Sequence, residues 1–178
     1  MHDQRFRIFL AIAVLTVASL AAQVGTRPPE PAENFQPGAP VEQPVAFSHK
    51  THVGLGLKCL ECHAIEAPGD YAGFPSETQC MACHIAIKTD SSHIQNLAAA
   101  ADNDKPIDWN RVYQVKEFVY FSHEIHNREA GIDCSECHGP VAERDVLFQE
   151  TSLGMYACMK CHERHDAPNG CDTCHDTH

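Results

Sequence analysis

Five times in 178 residues the chain carries Cys-x-x-Cys, and each time the next residue is His. The five are Cys59, Cys62, His63; Cys80, Cys83, His84; Cys134, Cys137, His138; Cys158, Cys161, His162; and Cys171, Cys174, His175. All ten cysteines are used. With thirteen histidines in the chain, the chance that His follows all five pairs by accident is on the order of a few in a million.

The spacing and the order of residues are both required by one chemistry. Two thiols add across the two vinyl groups on one edge of a haem, and the adjacent imidazole reaches beneath the ring to bind iron. Structural zinc also uses Cys-x-x-Cys, and so do thioredoxin-like dithiols, but neither needs His after every second Cys. The motifs therefore predict five covalently attached c-type haems, with His63, His84, His138, His162 and His175 as proximal iron ligands. So many rigid apolar bodies in so short a chain would themselves be the core, which predicts mostly irregular coil with short α-helices packed around a covalent haem stack.

The chain is also duplicated. "FSHKTHVGLGLKCLECH" (47–63) aligns with "FSHEIHNREAGIDCSECH" (121–138) after one inserted residue, and each is followed by a second motif, "CMACH" at 80–84 and "CMKCH" at 158–162. The repeats run over about 47–90 and 121–162, and a fifth motif, "CDTCH" at 171–175, closes a haem domain spanning 47–178. Each repeat opens with Phe-Ser-His-x-x-His. A three-residue separation puts two imidazoles on nearby parts of one helical turn without aiming them at one iron. His49, His52, His123 and His126 are thus expected as distal ligands, one of each pair for its own haem and the other for a neighbour. Four irons are filled in this way. For the fifth, Met155 is the candidate distal ligand, with His93, His165 and His178 as alternatives, and a methionine would raise that haem's potential.

Ahead of the repeats, "MHDQRFRIFLAIAVLTVASLAAQ" places Arg5 and Arg7 before an uncharged apolar run from Ile8 to Ala22 that ends in small residues. Residues 1–22 read as an export signal or an N-terminal membrane anchor, so the chain is expected in the periplasm or another extracytoplasmic space, soluble or tethered to the inner membrane. Residues 23–46 form a Pro-rich linker, read as an extended spacer. The net charge of −11, with basic residues dispersed, argues against a nucleic-acid partner. Between the repeats, "DSSHIQNLAAAADNDKP" predicts one short helix capped by Ser91 or Ser92 and stopped by Pro106, and "IDWNRVYQVKEFVYF" predicts an extended stretch.

Phe-x-His-x-x-His ahead of Cys-x-x-Cys-His resembles the class III multihaem cytochromes, the cytochrome c3 and c7 families. That resemblance implies bis-His iron and electron transfer, with His49 and His123 serving the haems of Cys59/Cys62 and Cys134/Cys137 while His52 and His126 reach across to others. The segment "KPIDWNRVYQVKEFVYFSHEIH" (105–126) resembles, more narrowly, the pentahaem subunit of alternative complex III and related quinone oxidoreductase subunits. This implies an electron carrier with no catalytic residues of its own and with redox partner proteins, among them a membrane quinone oxidoreductase complex. Two other readings stand beside it: a nitrite reductase-like enzyme with one open iron, against which all five motifs end in His, and a self-anchored quinol-oxidising cytochrome.

Overall fold

The computed structural model describes residues 34–176, so residues 1–22, read as an export signal or membrane anchor, the first part of the linker (23–33) and His178 lie outside the described residues. Among the described residues seven short α-helices are joined by irregular chain: α1 (His49–Gly54), α2 (Cys59–Cys62), α3 (Glu77–His84), α4 (Ser92–Asp102), α5 (Cys134–His138), α6 (Met155–Arg164) and α7 (Cys171–Cys174). A π-helix (Glu124–Glu129) and a 3-10 turn (Val141–Glu143) complete the set. Among the described residues the only β-pairing is an isolated antiparallel bridge between Ile65 and Ala72, and no helix is long and apolar enough to cross a membrane.

Every Cys-x-x-Cys motif lies on a helix, and local chemistry starts most of these helices. The Ser76 side chain accepts from the Gln79 amide (3.3 Å) at α3, and Asp133 accepts from the Ser135 amide (2.8 Å) at α5. At α2 the Glu61 carboxylate reaches back to the Lys58 amide (2.7 Å). These contacts satisfy amides that a helix start leaves without partners. A helical turn sets cysteines i and i+3 on one face and brings the following His close to the first, the layout that clamping one flat ring requires.

α4 starts after Ser91 and ends at Asp102, as its composition predicts, and it packs against α3 with Leu97 buried beneath it. The stretch 107–121 forms no ladder; Ile107 is tied instead through its amide to the Glu77 carboxylate (2.7 Å). The described part of the Pro-rich stretch, 34–46, departs from a free spacer. Its amides at Gly38 and Val41 donate to the carbonyls of Gln149 (2.8 Å) and Leu147 (2.9 Å), and the Gln43 side-chain amide donates to the Asn110 carbonyl (2.8 Å) and accepts from the Asn110 main-chain amide (2.9 Å). Proline suits an edge that donates only at alternate positions, so the packed surface begins near Gly38 rather than at Phe47.

The polypeptide supplies little core. Among the described residues Val45, Ile65 and Leu97 are the buried apolar side chains, while Leu55, Leu60, Phe74, Phe118 and Tyr120 are each more than half exposed. Three side chains cannot offset the conformational entropy of a chain this long.

The two repeats grip each other reciprocally. In one direction Ser122 donates through Oγ to the Pro68 carbonyl (2.6 Å) and the His123 amide donates to the Gly69 carbonyl (2.6 Å). In the other, Ser48 donates to the Asp145 carboxylate (2.7 Å) and the Lys50 amide donates to the Arg144 carbonyl (3.0 Å). The helix that opens each repeat thus sits on a loop of the other.

Candidate metal centres

The Phe-Ser-His-x-x-His pattern builds the same wedge twice. Phe47 stacks on His52 (centroids 4.2 Å apart) and meets His49 edge-on (4.9 Å); Phe121 stacks on His126 and meets His123 edge-on, both at 4.8 Å. The phenyl ring turns the two imidazoles away from each other. In the first repeat both histidines belong to α1, whereas in the second His123 stands just ahead of the π-helix that carries His126.

Each of these four imidazoles faces one motif imidazole. His49 faces His63 at 6.2 Å with planes 11° apart, and His123 faces His138 at 6.3 Å and 7°. His52 faces His84 at 6.2 Å and 55°, and His126 faces His162 at 6.0 Å and 47°. With a metal–imidazole bond of about 2 Å and a ligating nitrogen about 1 Å from its ring centroid, two imidazoles on opposite sides of one metal ion have centroids about 6 Å apart. The four spacings fit that distance.

Protons are arranged to match. Nδ1 of His52, His63, His84, His123, His126, His162 and His175 donates to the carbonyls of Ser48 (2.8 Å), Gly73 (2.8 Å), Ile87 (3.0 Å), Gly69 (3.1 Å), Ser122 (2.8 Å), Pro168 (2.5 Å) and Phe118 (3.1 Å). A proton held on Nδ1 leaves the lone pair on Nε2, the tautomer that binds iron. His49 and His138 are the exceptions within the four pairs: Nδ1 of His49 is buried without a partner, and the group against His138 is Tyr113, whose ring lies 4.6 Å away edge-on and whose hydroxyl donates to the His138 carbonyl (2.8 Å). Burial, then the neighbouring His63 and His52, pushes the pKa of His49 down to about 4; burial, then His123 and His63, lowers that of His138. Both are kept in the neutral, ligating form.

The thiols form a row. Burial raises the Cys134 thiol, and the adjacent Cys59 raises it further; burial and then Cys161 and Cys158 do the same to Cys137; burial, with Glu77 and Cys62 nearby, does so to Cys80. The motif sites therefore neighbour one another in the order 80/83, 59/62, 134/137, 158/161, and the Gln79 amide side chain donating to the Glu61 carbonyl (2.5 Å) ties the first two. No disulfide joins any of the cysteines. Nor, among the described residues, do three His, Cys, Asp or Glu side chains converge on one point as a bare zinc site requires.

The fifth motif stands apart. His175 has Phe118 as its ring neighbour (5.8 Å), and the Tyr120 amide donates to the Cys174 carbonyl (2.8 Å), but no imidazole among the described residues faces His175. Met155 opens α6 with its side chain exposed, and His165 ends that helix. His93 has the opposite proton polarity, its Nδ1 accepting from the Ala46 amide (3.4 Å). The carbonyl partners and Tyr113 are not marked by residue type; the repeated Ser four residues before His52 and His126 is the only such signal.

Residues 23–108 match the class III cytochrome c family, and residues 119–176 match cytochrome c7 and related cytochromes c. The chain is 30% identical over 162 residues to the multihaem cytochrome c subunit of a menaquinone reductase from Nitratidesulfovibrio vulgaris (strain Hildenborough), an alignment covering 75% of this chain and 77% of that subunit.

Proposed function

The chain belongs to the class III multihaem c-type cytochromes, of the c3 and c7 kind, and from that membership we propose that it is an exported pentahaem electron carrier serving a membrane menaquinone-linked respiratory complex. The observation that carries the reading is the set of four imidazole pairs at 6.0–6.3 Å, whose ring protons are largely fixed on Nδ1.

In this reading the ten cysteines hold five haems covalently. His63 and His49 hold the first iron, His84 and His52 the second, His138 and His123 the third, and His162 and His126 the fourth. His175 holds the fifth from one side, with Met155 as its proposed partner. What the bound haems supply is reversible one-electron chemistry at iron, exchanged between neighbours. The chain does the rest. Paired imidazoles leave a substrate no coordination site at four irons, and the main-chain carbonyls fix the ring planes so that little has to move when charge changes. The reciprocal grip of the repeats keeps the row of attachment sites together. The export segment supports a periplasmic location, and the likeness to a menaquinone reductase subunit supports a quinone-linked partner.

Purified holoprotein tests this reading. Five haems per chain by haem-to-protein ratio, with mainly low-spin ferric signals, is the expected result. A ratio well below five, or stoichiometric carbon monoxide binding to one of the four paired haems after reduction, would overturn it. Sequencing the mature N-terminus tests export.

A further inference from the structure

The four imidazole pairs differ in how many ring protons are held by main-chain carbonyls, and the difference follows position in the row. Both members of the two outer pairs are held: His52 and His84 by Ser48 and Ile87, His126 and His162 by Ser122 and Pro168. Each inner pair has one held member, His63 on Gly73 and His123 on Gly69, and one that no carbonyl among the described residues holds, His49 and His138. The inner pairs are also the near-parallel ones, at 11° and 7° against 55° and 47°.

The asymmetry has a structural origin. In the reciprocal grip the Gly69 carbonyl takes both the amide and the ring proton of His123, whereas the corresponding Arg144 carbonyl takes the Lys50 amide, and His49 is left with an unpartnered Nδ1. Beside His138 stands the ring of Tyr113, centroids 4.6 Å apart and planes 75° apart.

A carbonyl that accepts the Nδ1 proton makes the imidazole a stronger electron donor, which favours ferric iron and lowers the potential. Resting on the bis-imidazole reading above, we propose that this hydrogen-bond pattern sets the two inner haems at higher potential than the two outer ones, so that among the four paired haems the inner two are reduced first. His49 and His138 are then potential-setting residues through what their rings lack, and the outer sites become the exchange points with partners.

The test is a redox titration of the full holoprotein followed by EPR. The angle between two axial imidazole planes fixes the splitting of the iron d orbitals, so near-parallel and tilted pairs give separable low-spin signals. The signals compared are the two that integrate to two haems each, which leaves the fifth haem out of the comparison. On stepwise reduction the near-parallel signal is expected to be lost first. Loss of the tilted signal first, or equal loss of both at every potential, would overturn the proposal while leaving the ligand assignment intact. If two such low-spin signals are not present in the oxidised protein, the bis-imidazole reading fails and this proposal fails with it.

Discussion

The carbonyl oxygen of Gly69 accepts two hydrogen bonds from His123, one from its amide (2.6 Å) and one from Nδ1 (3.1 Å). A loop of the first repeat thereby orients a proposed iron ligand of the second. Close approach is possible only because residue 69 has no side chain: at φ +90 a Cβ would lie 2.6 Å from the Glu124 amide nitrogen. Gly69→Ala therefore carries backbone strain of roughly 1–3 kcal/mol and displaces the loop. The expected outcome is a lower melting temperature together with conversion of one haem of the five to a high-spin form. Gly54→Ala is the control, since nothing lies within 4 Å of its Cβ position. If both variants keep an unchanged low-spin spectrum, the Gly69 loop does not position His123.

The opposite half of the grip predicts a contrast in magnitude. Ser48 donates to the Asp145 carboxylate at 2.7 Å, while the Lys50–Asp145 ion pair is long (3.8 Å) and well exposed on both sides. A charge-assisted hydrogen bond contributes about 1.5–3 kcal/mol at most, and an exposed pair near zero. Asp145→Ala should lower denaturant stability by about 1 kcal/mol or more, and Lys50→Ala by much less. Equal losses in chemical denaturation would mean that the ion pair, and not the hydroxyl contact, joins the repeats.

Chain made without haem attachment should lack a cooperative native state. With Val45, Ile65 and Leu97 as the buried apolar side chains among the described residues, hydrophobic burial falls far short of the backbone entropy of about 1–2 kcal/mol per ordered residue. Residual helix by circular dichroism, no sharp thermal transition and rapid proteolysis are expected. A sharp transition with protease resistance would show a protein core that the burial pattern does not contain.

Repeated and local patterns were the ones legible in the sequence. The five Cys-x-x-Cys-His motifs, the four outlying histidines and the α4 helix could all be read from spacing, capping and composition, because each is a local pattern. The wedge role of Phe47 and Phe121 was visible only as a repeated letter; its meaning needed the stacking geometry. Tyr113 and the carbonyls of Gly69, Gly73 and Pro168 were not legible, since a main-chain acceptor leaves no mark in residue type and its position depends on long-range packing. The docking of Gly38 and Val41 onto 147–149 was hidden for a similar reason: proline-rich composition predicts extension, but extension alone does not say whether an edge finds a partner.

The proposed fifth haem separates Met155, its candidate ligand, from His93, one of the histidine alternatives. His93 accepts the Ala46 amide proton on Nδ1 (3.4 Å), so its own ring proton sits on Nε2, the nitrogen that would otherwise reach iron. His93→Ala is thus expected to leave every haem's spin state unchanged. Met155 has a thioether, needs no proton removed, and stands exposed at the start of α6. On the proposed ligation, Met155→Leu removes a near-infrared band diagnostic of methionine on ferric haem and lowers the potential of one haem, because a thioether favours ferrous iron more than an imidazole does. If His93→Ala instead turns one haem high-spin, or the wild-type protein has no such band, the assignment to Met155 is wrong and the ligand of the fifth iron must be sought elsewhere.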